Sequence, residues 1–404
     1  MKKFRELLRT SMIYVFPILA LILSLYANET SLAAKKALYL CLDVVIPSLF
    51  PFFVLSRLAV PYLYGFSCPK FLKSLTERFF GLPYYTLITI ILGYLSGFPT
   101  GAKLARDMFD EGLLDSQQAS KVITVANNCS PLFIIGTIGA GLFKSVKIGF
   151  LLLTIHWISG LIAVFLTGRF ANYKKSQKKI APQFQTSVKK DNKPIRLSYL
   201  LPSAVEEAAF LCIKVTGYIV LFAVLSELLS RLGIFSFLAG IVGLIYSGGA
   251  LKSGFSDFMA SLFRGFMEIA SGSQAINQIQ GTTINIKLAA ISLICGFAGF
   301  SVHTQVMGIM KGTEAKYRVF FTGKLLHGII AGLITLLVID LVPITVQIST
   351  LAVRLPFNYL SVRLITIGVI LLSLCIAPYR TGHGSPHQKP GPNYQRRPKA
   401  KRLI

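Results

Sequence analysis

The chain has 404 residues, of which 53% are hydrophobic and 14% are charged, and its mean hydropathy is +0.63. Soluble domains carry about 25% charged residues, so this composition excludes an ordinary soluble globule, a disordered chain and a disulfide-rich secreted scaffold. The formal charge of +26 is concentrated near the N-terminus, between residues 169 and 196, and after residue 380. Cytoplasmic loops of membrane proteins are basic in this way. The sequence therefore predicts a polytopic membrane protein that binds no nucleic acid.

Uncharged runs mark the candidate membrane-spanning helices along the chain. A helix needs about 20 apolar residues to cross the hydrocarbon core of a bilayer. In chain order, the uncharged runs are 11–27, 79–102, 122–143, 148–168, 232–250 and 288–310, and the apolar runs with a single charge or a proline are 44–64, 208–229, 325–343 and 355–379. The first run is either a cleaved signal peptide or an uncleaved span, and the membrane pattern that continues after it favours the span. We expect about eight full spans, with the count least defined around residues 232–283.

The two halves of the chain match each other at a constant spacing. The matching segments are 37–44 with 208–215, 52–58 with 222–228, 100–101 with 271–272, and residue 130 with residue 301, at an offset of 170 or 171 residues. Four matches at one offset predict that the chain is a duplication.

The distribution of basic residues predicts that this duplication is inverted. Run 79–102 has basic residues before and after it, which places both of its ends in the cytoplasm. It is therefore expected to be re-entrant, with a break at Gly-Phe-Pro-Thr-Gly (97–101), the alternative being a simple proline kink. The equivalent segment of the second half then enters from the opposite side. Such repeats are typical of secondary transporters, so we predict an all-α fold with inverted-topology repeats and two re-entrant or broken segments.

The break in the first half carries polar side chains that are candidates for substrate binding. Ser96 and Thr100 offer hydroxyl groups at the tip of the broken run. Lys103 either pairs with an anionic substrate or extends to the membrane interface. A break at membrane depth is tolerated where it is buried in protein or lines a cavity, and the exposed helix ends there can hold anions.

A second cluster lies inside the next apolar run. Asn127, Asn128 and Ser130 place two amides and a hydroxyl just before a proline. Polar groups at membrane depth either join helices or form a binding surface. Three adjacent polar side chains favour the binding surface.

The second half supplies the ionisable candidates. Glu268 lies in a membrane segment and is a functional candidate, unless it forms a surface ion pair with Arg264 one helical turn away. Ser271 is the repeat counterpart of Thr100, and Ser301 is the counterpart of Ser130. His303 titrates near neutral pH, so it either couples protons or is a hydrogen-bonded packing residue. Glu268 and His303 are the candidates for binding a coupling ion.

Other features of the sequence argue against an enzyme. The chain contains no nucleotide-binding loop, Ser/His/Asp arrangement, metalloprotease motif or ATPase module, so we expect no cofactor. The six cysteines show no Cys-x-x-Cys spacing, which favours reduced thiols over a metal site. His156, His327 and Asp340 are isolated in apolar runs and are predicted to be structural.

Two motifs resemble a known family. Ser-Gly-Phe-Pro-Thr-Gly-Ala-Lys (96–103) and Asn-Asn-Cys-Ser-Pro-Leu-Phe (127–133), with the acidic linker 107–115, are similar to the nucleoside-recognition or gate domain family and, within it, to sporulation integral membrane proteins of the YlbJ type. The resemblance covers about residues 30–345. Cys-Gly-Phe-Ala-Gly-Phe-Ser (295–301) also resembles a stretch of concentrative nucleoside transporters in which a Phe and an Asn contact the substrate. By position, this implies a substrate contact for Phe297, whereas Gly299 departs from the Asn.

The resemblance implies a secondary carrier that is required for endospore formation. It implies transport of dipicolinic acid, a planar aromatic dianion, across the outer forespore membrane. Half-helix N-termini, hydroxyls, amides and Lys103 suit such an anion, with Phe297 available for ring stacking. Glu268 suits a dianion only when it is protonated or holds the coupling ion. The alternatives are a nucleoside-like carrier and a non-transporting sporulation membrane scaffold.

The resemblance and the charge pattern together predict the organisation and the partners. The predicted units are an N-terminal cytoplasmic segment with the first span (1–30), a gate-like repeat with the following span (31–168), a basic cytoplasmic loop (169–198), a second gate-like repeat with its following span (199–345), the last span (346–379) and a basic flexible cytoplasmic tail (380–404). Both termini are expected in the cytoplasm. The expected partners are dipicolinate or a nucleoside-like solute and membrane lipids, and a homo-oligomer is left open.

Overall fold

The computed structural model describes residues 2–63, 69–170, 197–247 and 253–339. Most of the predicted basic loop (169–198) lies outside these ranges. The predicted last span (346–379), the tail (380–404) and Asp340 lie outside the described residues as well.

The described residues form helices connected by short turns, and no β-strand occurs among them. The α-helices are α1 (Lys2–Leu25), α2 (Ala27–Leu40), α3 (Ile46–Leu63), α4 (Lys70–Leu75), α5 (Thr86–Ser96), α6 (Thr100–Asp110), α7 (Ser116–Ala126), α8 (Val146–Phe170), α9 (Leu197–Arg231), α10 (Ile234–Ser247), α11 (Ser253–Met267), α12 (Ile269–Gln278), α13 (Ile284–Phe297), α14 (Gly299–Ile309) and α15 (Tyr317–Val338). Three π-helical segments are Cys41–Val45, Thr76–Phe80 and Leu132–Leu142.

Several helices are long and apolar enough to cross a membrane. Within the described ranges these are Ala27–Ala59, Val146–Thr167, Leu200–Arg231, Ile284–Ile309 and Tyr317–Val338. Shorter apolar helices are Ile13–Leu25, Thr86–Ser96, Leu132–Leu142 and Ile234–Leu244. The prediction of an all-α polytopic membrane protein is confirmed.

Three predicted spans differ in extent from the helices that form. The predicted span 44–64 is the second part of one helix that starts at residue 27, because a single charge at Asp43 does not interrupt backbone hydrogen bonds that close within the helix. Likewise, the predicted span 208–229 is the middle of α9, which has 35 residues. Within the predicted span 232–250, the described residues form the 14-residue helix α10, and residues 248–250 lie outside the described ranges.

Four short interruptions divide the helices around the centre of the molecule. Break 1 is residues 97–99 between α5 and α6, break 2 is residues 127–131 between α7 and Leu132–Leu142, break 3 is Glu268 between α11 and α12, and break 4 is Ala298 between α13 and α14. Helix α5 ends at Ser96, and α11 ends 171 residues later at Met267. Helix α7 ends at Ala126, and α13 ends 171 residues later at Phe297. The spacing of the sequence repeat thus recurs in the positions at which the helices stop.

Backbone geometry shows why the helices stop at breaks 1 and 4. Gly97 has a φ of +91°, and Ala298 has a φ of +79° in the left-handed region. A residue with positive φ cannot continue a right-handed helix, so it ends the helix where it occurs. The glycine and the proline of break 1 are signals that sequence analysis uses. A left-handed alanine has no such signal, and the sequence analysis treats residues 288–310 as one span.

Small residues let break 1 pack directly on break 2. A Cβ atom on Gly97 would lie 2.6 Å from the Cβ of Ser130, and one on Gly101 would lie 2.4 Å from the carbonyl oxygen of Ala126. These distances are shorter than normal van der Waals contacts, so no larger side chain fits without a shift of the backbone. The α5–α6 hairpin therefore contacts the end of α7 through backbone atoms.

Candidate functional site

The four breaks surround one central cavity of about 90 Å³. Break 1 contributes Phe98 to its wall, break 2 contributes Ser130, and break 3 contributes Glu268. The first turn of α14, directly after break 4, contributes Ser301. The helix Ala27–Ala59 and α9 close the other side, for example through Val215. Broken helices that meet at a cavity leave helix ends available to a solute.

Two larger vestibules adjoin the central cavity. The Glu227 vestibule has a volume of about 310 Å³ and shares Phe133 and Glu268 with the central cavity. The Glu207 vestibule has a volume of about 600 Å³ and shares Val215 and Gln305 with it. The three spaces therefore form a row, with the central cavity in the middle.

Ion pairs at the two ends of α9 mark the two vestibules. Glu207 lies 3.1 Å from Lys103 and 3.2 Å from Arg57, measured between nitrogen and oxygen atoms. Glu227 lies 2.6 Å from Arg264 by the same measure. Because a helix rises 1.5 Å per residue, the two glutamates are about 30 Å apart, which is the thickness of the hydrocarbon core.

These pairs show how the two broken hairpins are oriented. Lys103 belongs to the α5–α6 hairpin and contacts the Glu207 end of α9, whereas Arg264 belongs to the α11–α12 hairpin and contacts the Glu227 end. The hairpins therefore approach the central cavity from opposite ends of α9. This arrangement agrees with the inverted orientation that the basic residues predict.

Lys103 also forms an ion pair within its own helix. Its Nζ atom lies 2.5 Å from a carboxylate oxygen of Asp107. Burial raises the pKa of Asp107, and the neighbouring Lys103 ammonium opposes that change. Lys103 lines the Glu207 vestibule and already has two carboxylate partners. Its position favours a role at the vestibule rather than at the central cavity.

Asn127 connects the two broken segments of the first half. Its Oδ1 atom accepts a hydrogen bond of 3.1 Å from the backbone N–H of Ala102 in α6, and its Nδ2 atom donates one of 2.7 Å to the carbonyl oxygen of Ile123 in α7. The side chain thus satisfies one free N–H at the start of α6 and one carbonyl near the end of α7. These bonds hold α6 and α7 together at the cavity.

The buried lysine of α15 is the main feature that the sequence analysis missed. Lys324 is 1% exposed, and its Nζ atom donates hydrogen bonds to the backbone oxygen of Asn127 and, at 3.2 Å, to Oδ1 of Asn128. The ring centroid of Phe98 lies 5.5 Å from the same nitrogen. Lys324 therefore contacts both break 1 and break 2. The signal was a single positive charge between apolar residues, which is rare in a membrane segment.

Two histidines that the sequence analysis treated as isolated contact each other. His156 of α8 and His327 of α15 have ring centroids 4.5 Å apart, and Nε2 of His327 lies 2.9 Å from the backbone oxygen of His156. Nε2 of His156 accepts a hydrogen bond of 3.1 Å from the N–H of Cys129 in break 2. The two residues are 171 positions apart in the sequence. That spacing, the same as the repeat, is the signal that could have paired them.

Glu268 forms break 3 and caps the helix after it. Its carboxylate oxygens accept hydrogen bonds of 2.9 Å from the N–H of Ala270 and 2.7 Å from the N–H of Ser271. A carboxylate at a helix N-terminus is stabilised by the free N–H groups and by the helix dipole. Glu268 is 8% exposed and lines both the central cavity and the Glu227 vestibule. It contacts both spaces while its charge is partly balanced by the helix.

The aromatic and histidine candidates of the second half lie behind the cavity wall. Phe297 is 3% exposed and stacks on His303 with a centroid distance of 4.7 Å. His303 is 2% exposed, with Nε2 2.9 Å from the backbone oxygen of Phe297 and Nδ1 3.2 Å from the hydroxyl of Tyr317. Both ring nitrogens of His303 thus have partners. These contacts account for Phe297 and His303 as packing residues.

The structure brings some of the predicted site residues into the cavity wall and places others next to it. The wall contains Ser130, Glu268 and Ser301, while Ser271 lines the Glu227 vestibule and Lys103 the Glu207 vestibule; Ser96, Thr100, Asn127 and Asn128 are at most 1% exposed beside breaks 1 and 2. The wall also contains residues that the sequence analysis did not name for binding, namely Phe98, Phe133 and Gln305. Their contribution depends on contacts between segments far apart in the chain.

Comparison with known proteins gives one informative match. The chain is 31% identical over 324 residues to "Sporulation integral membrane protein YlbJ" of Bacillus subtilis (strain 168), and the match covers 76% of this chain and 76% of that protein. No protein-family model and no solved structure matches the chain. The identity extends over most of both proteins and agrees with the resemblance seen in the motifs at breaks 1 and 2. The chain therefore belongs to the YlbJ family of sporulation integral membrane proteins.

Proposed function

We propose that this protein is a secondary carrier that moves dipicolinic acid across the outer forespore membrane during endospore formation. The observation that carries the proposal is the meeting of four helix breaks at one cavity between two vestibules. Helix breaks at membrane depth are tolerated where they are buried in protein or line a cavity, and paired breaks that meet at one cavity are typical of transporter binding sites. The relationship to a sporulation membrane protein supplies the biological setting.

The chemistry of the cavity wall is suited to a planar aromatic acid. Phe98 and Phe133 offer ring faces or edges, and Ser130, Ser301 and Gln305 offer hydrogen bonds. The carboxylate of Glu268 already accepts two backbone hydrogen bonds, which lowers its repulsion of a second anion. Lys324 lies next to the wall and provides an amine near breaks 1 and 2.

Transport in proteoliposomes tests the proposal. Purified protein is reconstituted, and uptake of labelled dipicolinate is measured under a proton gradient and under a sodium gradient, with unlabelled dipicolinate and uridine as competitors. We expect saturable uptake that dipicolinate competes and uridine does not. Uptake competed by uridine alone would make the protein a nucleoside-like carrier, and the absence of any flux would favour a membrane scaffold.

A pair of neighbouring variants makes the test specific for the cavity. Gln305 lines the central cavity, whereas the adjacent Thr304 is exposed and does not line the cavity. Gln305→Leu removes a polar group from the wall and is expected to reduce uptake about tenfold, the value of one lost hydrogen bond. Thr304→Val is expected to transport like the wild type. Equal uptake by both variants would show that the solute does not use this cavity.

A further inference from the structure

The hydrogen-bonding partners of Lys324 match a neutral amine. The Nζ atom has two acceptors, the backbone oxygen of Asn127 and Oδ1 of Asn128. A neutral amine donates two hydrogen bonds, whereas an ammonium group donates three. The third contact is the face of Phe98, whose centroid lies 5.5 Å away, near the outer limit of a cation–π interaction, and a ring face does not replace an acceptor oxygen.

In the described part of the chain, Lys324 has no carboxylate beside it to balance an ammonium ion. Among the described residues, no carboxylate lies within ion-pair distance of its Nζ atom. The titratable groups near it are Cys129 after α7, His156 of α8, His303 of α14 and His327 of α15. Tyr94 of α5 lies beside Asn128, and Cys129 in turn contacts Cys295 of α13. None of these is an acid with a carboxyl group. An unbalanced ammonium ion in this setting is costly.

Lys324 lies close enough to the cavity to respond to an anion there. Phe98 and Cys129 line the central cavity, and they flank the residues that hold Lys324. A carboxylate bound beside Phe98 supplies both the missing negative charge and an acceptor for the third N–H. The favoured state of the amine then changes from neutral to protonated.

We propose that Lys324 takes up a proton when an anionic substrate binds in the central cavity, so that the carrier moves the anion together with a proton. In the empty state the amine is neutral and holds break 2 through its two hydrogen bonds. On binding, its lone pair accepts a proton from the aqueous vestibule, and the resulting ammonium pairs with the substrate carboxylate. Release of the substrate returns the proton to water. This inference rests on the proposed function and names the group that couples it to protons.

Proton uptake on binding tests the proposal directly. The full-length protein in detergent is placed in a weakly buffered solution near pH 7.5 with a pH indicator, and dipicolinate is added as the dianion. We expect the solution to become more alkaline, with about one proton taken up per dipicolinate bound, because one amine changes its state. Binding is measured in parallel by calorimetry.

Three variants separate the charge of Lys324 from other effects. Lys324→Met is expected to weaken dipicolinate binding about 30-fold or more, because a buried charge pair is lost. Lys324→Arg is expected to bind dipicolinate without proton uptake, because a guanidinium is already protonated. Lys287→Met is the matched control, since this half-buried lysine bonds to the backbone oxygen of Asn277 and lines none of the three spaces. It should behave like the wild type.

The possible outcomes distinguish this inference from the proposed function. No binding of dipicolinate to the wild type overturns the proposed substrate and this inference with it. Binding with full proton uptake in Lys324→Arg overturns the role of Lys324 and leaves the proposed function unaffected. If Glu268→Gln binds dipicolinate without taking up a proton, and Lys324→Arg still takes one up, the proton is bound by Glu268 instead. If Lys324→Met does not fold, Lys324→Arg still tests whether the side chain at residue 324 takes up the proton.

Discussion

Gly97 meets two requirements that only glycine satisfies. Its φ is +91°, and an added Cβ would lie 2.6 Å from the Cβ of Ser130. We expect Gly97→Ala to destabilise the protein by about 1–3 kcal/mol, the cost of a strained backbone, and more where Ser130 cannot move. The measurement is the Tm of the purified protein in detergent.

The control for this change is a glycine with free space around it. Gly240 lies in α10, and no atom lies within 4 Å of the position that its Cβ would take. Gly240→Ala should leave the Tm unchanged or raise it slightly, because alanine favours a helix. A Tm of Gly97→Ala equal to that of the wild type would contradict the close packing of breaks 1 and 2.

Two substitutions of Glu268 separate helix capping from charge. Glu268→Ala removes both hydrogen bonds to the start of α12 and should cost about 1 kcal/mol of stability. Glu268→Gln keeps an oxygen that can cap the helix, so its Tm should stay closer to that of the wild type. We expect Glu268→Gln to keep dipicolinate uptake in proteoliposomes, because the amide keeps the cap and removes a charge that repels the dianion. Loss of uptake by Glu268→Gln would show that the carboxylate charge is needed.

The sequence indicates individual polar residues better than it indicates their partners. Ser130, Glu268 and Ser301 were singled out because polar groups in apolar runs are unusual, and all three line the central cavity. Lys324 is not among the predicted site residues, because the predicted span 325–343 begins directly after it. The sequence analysis gives an anionic substrate or the membrane interface as the contact of Lys103. In the structure its partner is Glu207, which lies 104 residues away in the chain. A single sequence gives no sign of that contact.

At the scale of elements, α9 has a different environment at each end. The side chain of Glu207 is 40% exposed, whereas that of Glu227 is 14% exposed. Exposed ion pairs contribute about 0–1 kcal/mol. Loss of a more buried partner costs about 1–3 kcal/mol, because the remaining charge loses its hydrogen bond.

We therefore expect Glu227→Gln to lower stability more than Glu207→Gln. Arg264 would lose its carboxylate partner, and its Nε atom already lacks a hydrogen bond in the buried position. The comparison is made from the Tm of each variant, with Asp110→Asn as a control because Asp110 forms an exposed pair with Arg106. A larger effect of Glu207→Gln would show that the Glu207 end carries more of the stability.

The helices themselves follow from the apolar pattern, but their interruptions follow only in part. Break 1 is visible in the sequence because glycine and proline both disfavour a continuing helix. Break 4 consists of Ala298 in the left-handed region, followed by Gly299, which also has a positive φ, and alanine is not a residue from which a sequence predicts that conformation. The sequence predicts only the second part of the continuous helix from Ala27 to Ala59, because the charge of Asp43 interrupts the apolar run.

At the scale of the whole molecule, the two vestibules are expected on opposite sides of the membrane. Lys36 lines the Glu227 vestibule and Lys214 lines the Glu207 vestibule, and both side chains are exposed. The distribution of basic residues predicts that the Glu207 vestibule faces the cytoplasm. A cysteine at residue 214 should then react with an impermeant thiol reagent only from the cytoplasmic side, and a cysteine at residue 36 only from the other side.

Labelling of Lys36→Cys and Lys214→Cys in sealed vesicles of known orientation measures this arrangement. The wild type is the background control, and its four described cysteines are buried. Reaction of both introduced cysteines from the same side would contradict the opposite placement of the vestibules.

The contact of the two hairpins with opposite ends of α9 also bears on the direction of flow. Under the proposed function, the carrier does not by itself set the direction of net flux, because that direction is fixed by the gradients across the membrane and not by the relative energies of the carrier's states. When the anion and a proton move together, net flux follows the free concentrations of both in the two compartments. A cell that sequesters the solute on one side draws it across, and one that stops doing so lets it return, with no change in the carrier.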